Sequence, residues 1–523
     1  MSTVSEALRQ AKEPDFLVEL DFDGLVKRYA MKDITVPNSS GDDKLFEAAI
    51  QMPELDIGTP FDFRAWRYNI QRVIIRIANK GRLQDEETRR RLDGGIGRIY
   101  VWTPGLTWDD ISTNGLIFCG AFEKHSHDKY SYEFSLTDRT EQVFKKIPDK
   151  FISQDVWSNV RTEGGAGSVA GHAYPVIFGN WSRGIPLKCV DTSAYKYLAV
   201  LGKCKSADAD FTGGTKNVYD KNGTVRPPAN YTFYPGGVDP EGNVIGYFDF
   251  TGDESANEPL SCSIEGLFDG SGEITGTAGQ LIQHPADIVY YLMKHYSSLL
   301  QGEIHVETLK TMRSLLPGLK FPCIINKEAD GGDIIDRILH QCRCARIQRG
   351  SGIGVVTFDT GSAPLKTIKK SLHLVGRTAT IEPTPMDAVF NDIKASYALN
   401  PSTGAYEAEL SRDRTNSPTC RQSYLQYGDR PMRTLSLPDV QDQAVATYLV
   451  DRVIDLSSFR HDIAAVEVPY WDGIDLREGD AAYVTLEEGA SSDGNGWVDE
   501  PCILVERRFR RRTIIQKWWK IAT

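Results

Sequence analysis

From residue 437 onward the chain changes its hydrophobic period, and that change limits its fold more than any other feature. A helical pattern over 437–456 gives way to an apolar strand over 463–469, then to the turn Leu476-Arg477-Glu478-Gly479-Asp480, then to strands over 481–486 and 502–516. A period near 3.6 buries one helix stripe and a period of 2 buries one sheet face, so this order predicts a sheet unit with a single helix against it. The first 150 residues are also strand-rich. Two barrel-like units therefore flank a middle of different character.

The first unit opens with a hairpin. Residues 16–22 and 25–29 flank Asp23-Gly24, a pair that accepts the positive φ of a tight type I′ turn. Further strands are expected over 68–78, 97–102, 116–123 and 130–136, the last two joined by a polar turn over 124–129. That turn carries His125 and His127, which lack a third metal ligand nearby and read as exposed hairpin histidines. A polar turn over 137–142 and the pair Ile147-Pro148 end the unit, because proline biases its neighbour away from helix.

The next stretch, to about residue 282, is rich in Gly, Asn, Asp and aromatics. Strands over 174–178, 197–201 and 244–250, separated by turns at Asn222-Gly223 and Pro235-Gly236-Gly237, predict an irregular β-rich domain. From His284 the period becomes helical, with helices over 284–296, 306–315 and 333–345, then a hairpin of 346–349 and 354–358. Strands over 379–382 and 388–397 begin the last unit. Its helix, over 440–454, presents Ala444, Val445, Tyr448 and Leu449 as a stripe to cover the open side of the final barrel. Trp518-Trp519 should cap a core or form a contact surface.

Composition narrows the function classes. A length of 523 residues allows about three to four domains. With 41% hydrophobic and 25% charged residues the chain is ordinary for a globular protein, and no apolar run reaches the ~18 residues that cross a bilayer. The start, residues 1–15, lacks the pattern of an export signal, so the protein is expected to be made in the cytoplasm without stable membrane insertion. Nine cysteines without zinc-type spacing read as buried thiols, Cys342 and Cys344 included. A net charge of −11 disfavours nonspecific nucleic-acid binding, despite basic clusters at Arg89-Arg90-Arg91 and over 507–512.

Several segments imitate chemistry. The glycines over 164–171 have no preceding strand, following helix or closing Lys-Ser/Thr, so they read as a loop. Residues 269–272 and 493–499 resemble pieces of calcium loops without the closing glutamate. No Gly-x-Ser-x-Gly elbow, His-Glu-x-x-His helix or Walker loop occurs. No catalytic, cofactor-binding or metal residue is assigned, and no cofactor is expected.

The order of these features resembles the central tail hub (baseplate hub or tail tip) proteins of tailed bacteriophages. The resemblance rests on the turn Thr137-Asp138-Arg139 with its Ile147-Pro148 exit, on Pro175-Val176-Ile177-Phe178-Gly179-Asn180, and on His284-Pro285-Ala286-Asp287-Ile288. The helix and hairpin over 334–358 and the turn over 476–480 complete it. It implies a fold that is mainly β with an α+β middle, in which two tail-tube-like β-barrel units flank a β-rich insert and a helical/hairpin unit. The expected spans are 1–148 for the first barrel, 149–282 for a peripheral insert, 283–365 for a connecting unit and 366–523 for the second barrel.

It further implies a non-enzymatic structural protein of the virion tail tip, a homotrimeric ring that adapts a sixfold tube to threefold parts. Partners would be the distal tail or tube protein, the tape measure protein, and fibre or spike proteins, with DNA passing transiently through an acidic channel. Because the sequence stops at Thr523, spike, fibre or wall-cutting activity is expected in other polypeptides. The rival readings are a receptor- or carbohydrate-binding tail protein, suggested by Tyr231, Phe233 and Tyr234, and a cell-wall hydrolase.

Overall fold

The computed structural model describes residues 3–11, 14–51, 57–78, 95–140, 142–162, 168–204, 217–359, 364–375, 379–432, 434–486 and 496–520. The fold is mainly β, with α+β character in the middle of the chain. Asp15–Phe22 and Leu25–Ala30 pair in register from Leu17↔Ala30 to Phe22↔Leu25. Between them Asp23 (φ 52°) and Gly24 (φ 86°) supply the two consecutive positive φ angles of a type I′ turn.

Two large sheets dominate. The N-terminal sheet runs Ile34–Val36, Lys44–Ala48, Leu25–Ala30, Asp15–Phe22, Ile96–Trp102, Leu116–His127, Ser131–Asp138, Arg72–Ala78, Ile50–Gln51. The C-terminal sheet runs Lys366–Lys369, Ala481–Leu486, Trp497–Phe509, Thr513–Lys520, Asp462–Pro469, Ala379–Pro383. When the six main strands of each are numbered in chain order, the first sheet reads 2-1-4-5-6-3 and the second 1-4-5-6-3-2. The run 1-4-5-6-3 is common to both. Strands 4, 5, 6 and 3 are antiparallel neighbours in each, and in each the fifth strand bulges against the sixth, at Phe122/Lys124 and at Leu504/Glu506. The sheets differ at strand 1, which meets strand 4 antiparallel in the first and parallel in the second.

The two sheets fall short of the two closed barrels expected from sequence. In the first, Leu25–Ala30 and Arg72–Ala78 do not pair with each other. The extended run 44–51 bridges them, its start paired with Ile34–Val36, Glu47 and Ala48 with Tyr29 and Ala30, and its end with Arg76 and Ile77. In the second, the outer strands Lys366–Lys369 and Ala379–Pro383 remain edges.

The two sheets share one core. Leu17, Leu20, Phe22, Val101, Tyr132 and Phe134 belong to the same apolar cluster as Val466, Val468, Leu504 and Trp518. Ile57–Gly58 pairs with Arg508 and Phe509 of the C-terminal sheet, which stitches the two together. Side chains alternate across a strand, so Trp518 enters this shared core while Trp519 faces the other way. There it meets Phe63, Trp66 and Phe358 at ring-centroid distances of 5.5, 5.9 and 5.6 Å.

A second core fills the middle. Helices Pro285–His295, Val306–Leu315 and Gly331–Gln341 pack with the sheet of Tyr406–Arg412, Ile393–Leu399 and Leu435–Leu437 and with helix Gln443–Ser457. That last helix corrects the expectation twice. It covers the middle core instead of a barrel, and its buried stripe is Ala446, Leu449, Val450, Val453 and Ile454, with Ala444 and Tyr448 exposed. The observed stripe keeps helical spacing for two turns; of the expected one, Leu449 lies in it and Val445 packs partly buried against the same core. The third helix also ends earlier than expected, at Gln341, because Arg343 adopts φ 54° before the strand Cys344–Arg349 begins.

The β-rich insert holds two smaller cores around Trp181, Tyr197 and Phe248 and around Trp157, Tyr174 and Leu198. Pro235-Gly236-Gly237 is not a turn. It is an irregularity within strand Tyr231–Val238, where a Cβ on Gly237 would come within 2.3 Å of the Tyr247 ring.

Candidate functional site

The hairpin Cys344–Arg349/Gly352–Thr357 sits where the two sheets and the helical unit meet, and its polar side chains reach all three. Arg346 grips Asp336 of the preceding helix through two nitrogens, at 3.0 and 2.8 Å, and also donates to the Thr140 carbonyl. Gln348 donates to the Cys119 carbonyl of the N-terminal sheet and accepts from the Arg139 N–H at 2.6 Å. Arg139 in turn pairs with Glu303 at 2.7 Å. Arg349 reaches across to donate to the Glu478 carbonyl in the C-terminal sheet's turn.

Glu478 is the anchor on that side. Its buried carboxylate accepts from Nε and a terminal nitrogen of Arg507, both at 3.1 Å. Burial alone pushes such a carboxyl upward, but the Arg507 guanidinium outweighs it and holds Glu478 below its ordinary value. Burial lowers the Arg349 and Arg477 guanidinium values, and the neighbouring Arg507 charge adds to that effect. His305 is likewise depressed by burial, and its Nε2 lies 2.8 Å from the Arg349 carbonyl, to which a neutral imidazole donates. Between these groups lies a cleft of about 300 Å³ walled by Gln71, Asp138, Gln348, Arg349, Arg477 and Arg507.

This junction is suited to holding three units in one geometry. Among the described residues no three His, Cys, Asp or Glu side chains converge as metal ligands. Sequence reasoning singled out the turn over 476–480 and the hairpin but missed Arg346, Gln348 and Arg349 as connectors. Their alternation on a strand reads as a solvent face until the tertiary partners are known.

The other singled-out residues fall elsewhere. His125 and His127 lie on the strand Leu116–His127, which continues through the expected turn, and His127 stacks on Tyr132 at 5.0 Å. Cys342 and Cys344 are buried, as are all nine cysteines, and burial raises the Cys344 thiol to about 11. Asp269 spends its carboxylate inside its own loop, accepting from the N–H groups of Gly272, Ile274 and Thr275, which accounts for the calcium-like spacing without an ion. Of the basic cluster over 507–512, Arg507 is paired with Glu478 while Arg510 and Arg511 are exposed at a hairpin end. Tyr231 and Phe233 are half-buried against Phe248, and only Tyr234, stacked on Tyr247 at 5.0 Å, is exposed. Arg89-Arg90-Arg91 lie outside the described residues, as do parts of the segments 164–171 and 493–499.

Compared with known proteins, the sequence matches no family model and no curated protein. Solved structures similar to it include tail and virion proteins. A tail protein from Neisseria meningitidis MC58 is 9% identical, with 96% of each chain covered and a TM-score of 0.39. A chain of the native gene transfer agent virion is 12% identical over 70% of this chain and 87% of its own, with a TM-score of 0.43. The 43 kDa tail protein of prophage MuSo2 from Shewanella oneidensis is 10% identical over 97% and 96%, with a TM-score of 0.35.

Proposed function

We propose that this chain is a structural protein of a phage-type virion tail, a hub that assembles as a homotrimeric ring at the distal end of the tail tube. The observation that carries the reading is the repeated strand order 1-4-5-6-3 in two sheets that share one core. Two similar sheets in each of three copies present six similar faces, the arrangement by which a threefold object continues a sixfold tube. The junction hairpin supports this, because pseudo-symmetry holds only when the two sheets keep a fixed mutual orientation. In this reading the two large sheets, within the spans 1–148 and 366–523, supply the ring, the insert 149–282 lies at the periphery toward fibre or spike proteins, and DNA and the tape measure protein pass through the centre.

Native mass spectrometry and negative-stain images of the purified chain test it. A threefold ring is expected. Monomer alone at micromolar concentration, with no ring in assembled particles, would remove the reading. A second reading, a carbohydrate-binding tail protein, is favoured by one observation, the exposed Tyr234 stacked on Tyr247. It requires that Tyr234→Ala abolish adsorption of particles while leaving the ring intact.

A further inference from the structure

One sheet of the β-rich insert is covered on one face and only partly on the other. Tyr197, Phe248 and Phe250 face the core around Trp181, while on the opposite face Leu198 and Ile245 meet Trp157 and Tyr174. That second core includes no residue of Tyr231–Val238, the outer strand of the sheet. A corner of the face stays open. There Tyr234 pairs with Tyr247 and, one step along each strand, Asp249 pairs with Thr232 on one side and Lys196 on the other, so all five side chains share the face.

The corner is built as a platform. Tyr247 lies over Gly237, where a Cβ would come within 2.3 Å of its ring, and Tyr234 stacks on Tyr247 with planes 16° apart. Main chain backs one ring and that ring backs the other, so the 41% exposure of Tyr234 presents a flat aromatic surface to solvent. The polar groups beside it are unspent. No described residue bonds to the hydroxyls of Tyr234, Tyr247 and Thr232, and none pairs with the Lys196 ammonium, which lies 5.3 Å from the centre of the Tyr247 ring. Asp249 accepts no hydrogen bond either. Its Oδ1 is buried, so Oδ2 is the oxygen that meets solvent. Burial pushes this carboxyl upward, with Lys196 opposing and Asp191 adding to the rise. Asp191 spends its own Oδ1 on Ser193 and Ala194.

A flat aromatic surface beside free hydroxyls, an ammonium and a carboxylate suits a ring with an apolar face and a rim of groups that both donate and accept, as a pyranose has. Two carboxylates near one ammonium leave no surplus positive charge for an anion. A cage for a quaternary cation needs rings set around it, whereas these two are nearly parallel and have an ammonium beside them.

We propose that this corner binds a neutral pyranose, stacked on Tyr234 and held through its hydroxyls by Asp249, Lys196 and Thr232. The proposal deepens the second reading above and rests on it for the class of ligand, but it needs only one chain and not the ring.

The methyl glycosides of glucose, galactose and N-acetylglucosamine are the probes, each at about 10 mM with the full chain and read by saturation transfer from protein to sugar. At least one should receive saturation, strongest at the C–H protons of one ring face. Tyr234→Ala should weaken its binding about tenfold, and Tyr234→Phe should not, since a phenyl ring keeps the platform. Asp249→Ala loses no internal hydrogen bond, so its melting temperature should match that of the parent chain while its affinity for the glycoside falls about tenfold. Transfer to none of the three, transfer undiminished in Tyr234→Ala or Asp249→Ala, or stronger transfer to N-acetylneuraminic acid or to a proline-rich peptide would each overturn the proposal. Particles carrying Tyr234→Ala separate the site from the reading on which it rests. Normal adsorption with glycoside binding lost removes that reading and upholds the site, and lost adsorption with glycoside binding undiminished overturns the site and leaves that reading standing.

Discussion

His461 shows how a single buried group ties this fold to pH. It is 3% exposed, its Nε2 lies 3.2 Å from the Leu456 carbonyl, and its ring meets Trp519 edge-on at 5.4 Å. Burial pushes its pKa from 6.5 down to about 4, with the Leu456 hydrogen bond opposing. The folded value is below the unfolded one, so protonation favours the unfolded chain. Its contribution is intact above pH 6.5 and is lost as pH falls toward 4. His461→Gln has no titrating group, and its stability should fall less over that window, by up to about 3 kcal/mol relative to the parent chain. Urea denaturation at a series of pH values measures the difference. Parallel curves would show that His461 does not titrate on unfolding. Glu478 has the same sign for a different reason, since Arg507 holds its carboxyl below 4.5. Glu478→Gln should cost about 3 kcal/mol near neutral pH, because it leaves the Arg507 guanidinium buried without its counter-charge. A variant within a few tenths of a kcal/mol of the parent chain would show that water replaces the pair.

At the scale of elements, the chain placed some parts legibly and hid others. The first hairpin was readable because Asp23-Gly24 carries its turn chemistry locally, and the helix Val306–Leu315 because its period is uninterrupted. The helix Gln443–Ser457 was readable as a helix but not in its position. What fixes that position is remote in sequence: Asp439 accepts from two nitrogens of Arg337, both at 3.1 Å, and from Gln341 at 2.7 Å. No local pattern announces a carboxylate whose partners lie about a hundred residues away. The junction cleft was hidden for the same reason, since Gln71, Arg349 and Arg477 belong to three separate elements. Asp439→Ala should therefore loosen one helix against the other. Because the Arg337 side chain is 39% exposed and stays partly hydrated, the cost should be about 2 kcal/mol. Hydrogen exchange should quicken in both Gly331–Gln341 and Gln443–Ser457 and not in the strands Asp15–Phe22 and Ile96–Trp102. Faster exchange everywhere would mean that the middle core does not open separately.

At the scale of the whole molecule, the shared core decides what can fold alone. Strands from the two ends of the chain bury Phe22, Tyr132, Val466 and Trp518 in one apolar cluster, and Ile57–Gly58 completes its pairing only on Arg508 and Phe509. A fragment of residues 1–148 would expose the face that the C-terminal sheet covers, at a cost of roughly 25 cal/mol for each Å² of apolar surface returned to water. That loss outweighs the few kcal/mol by which domains are ordinarily stable. The fragment should be insoluble, or should lack a cooperative melting transition and bind a hydrophobic dye. Adding residues 366–523 as a second chain should restore more order than either piece has alone, but not the full transition, because helix Gln443–Ser457 would then lack the core that it covers in the intact protein. Circular dichroism melts of the two fragments, separate and mixed, measure this. A sharp, reversible transition in residues 1–148 alone would show that the N-terminal sheet folds independently, and that the repeated sheets meet as finished units instead of forming one core together.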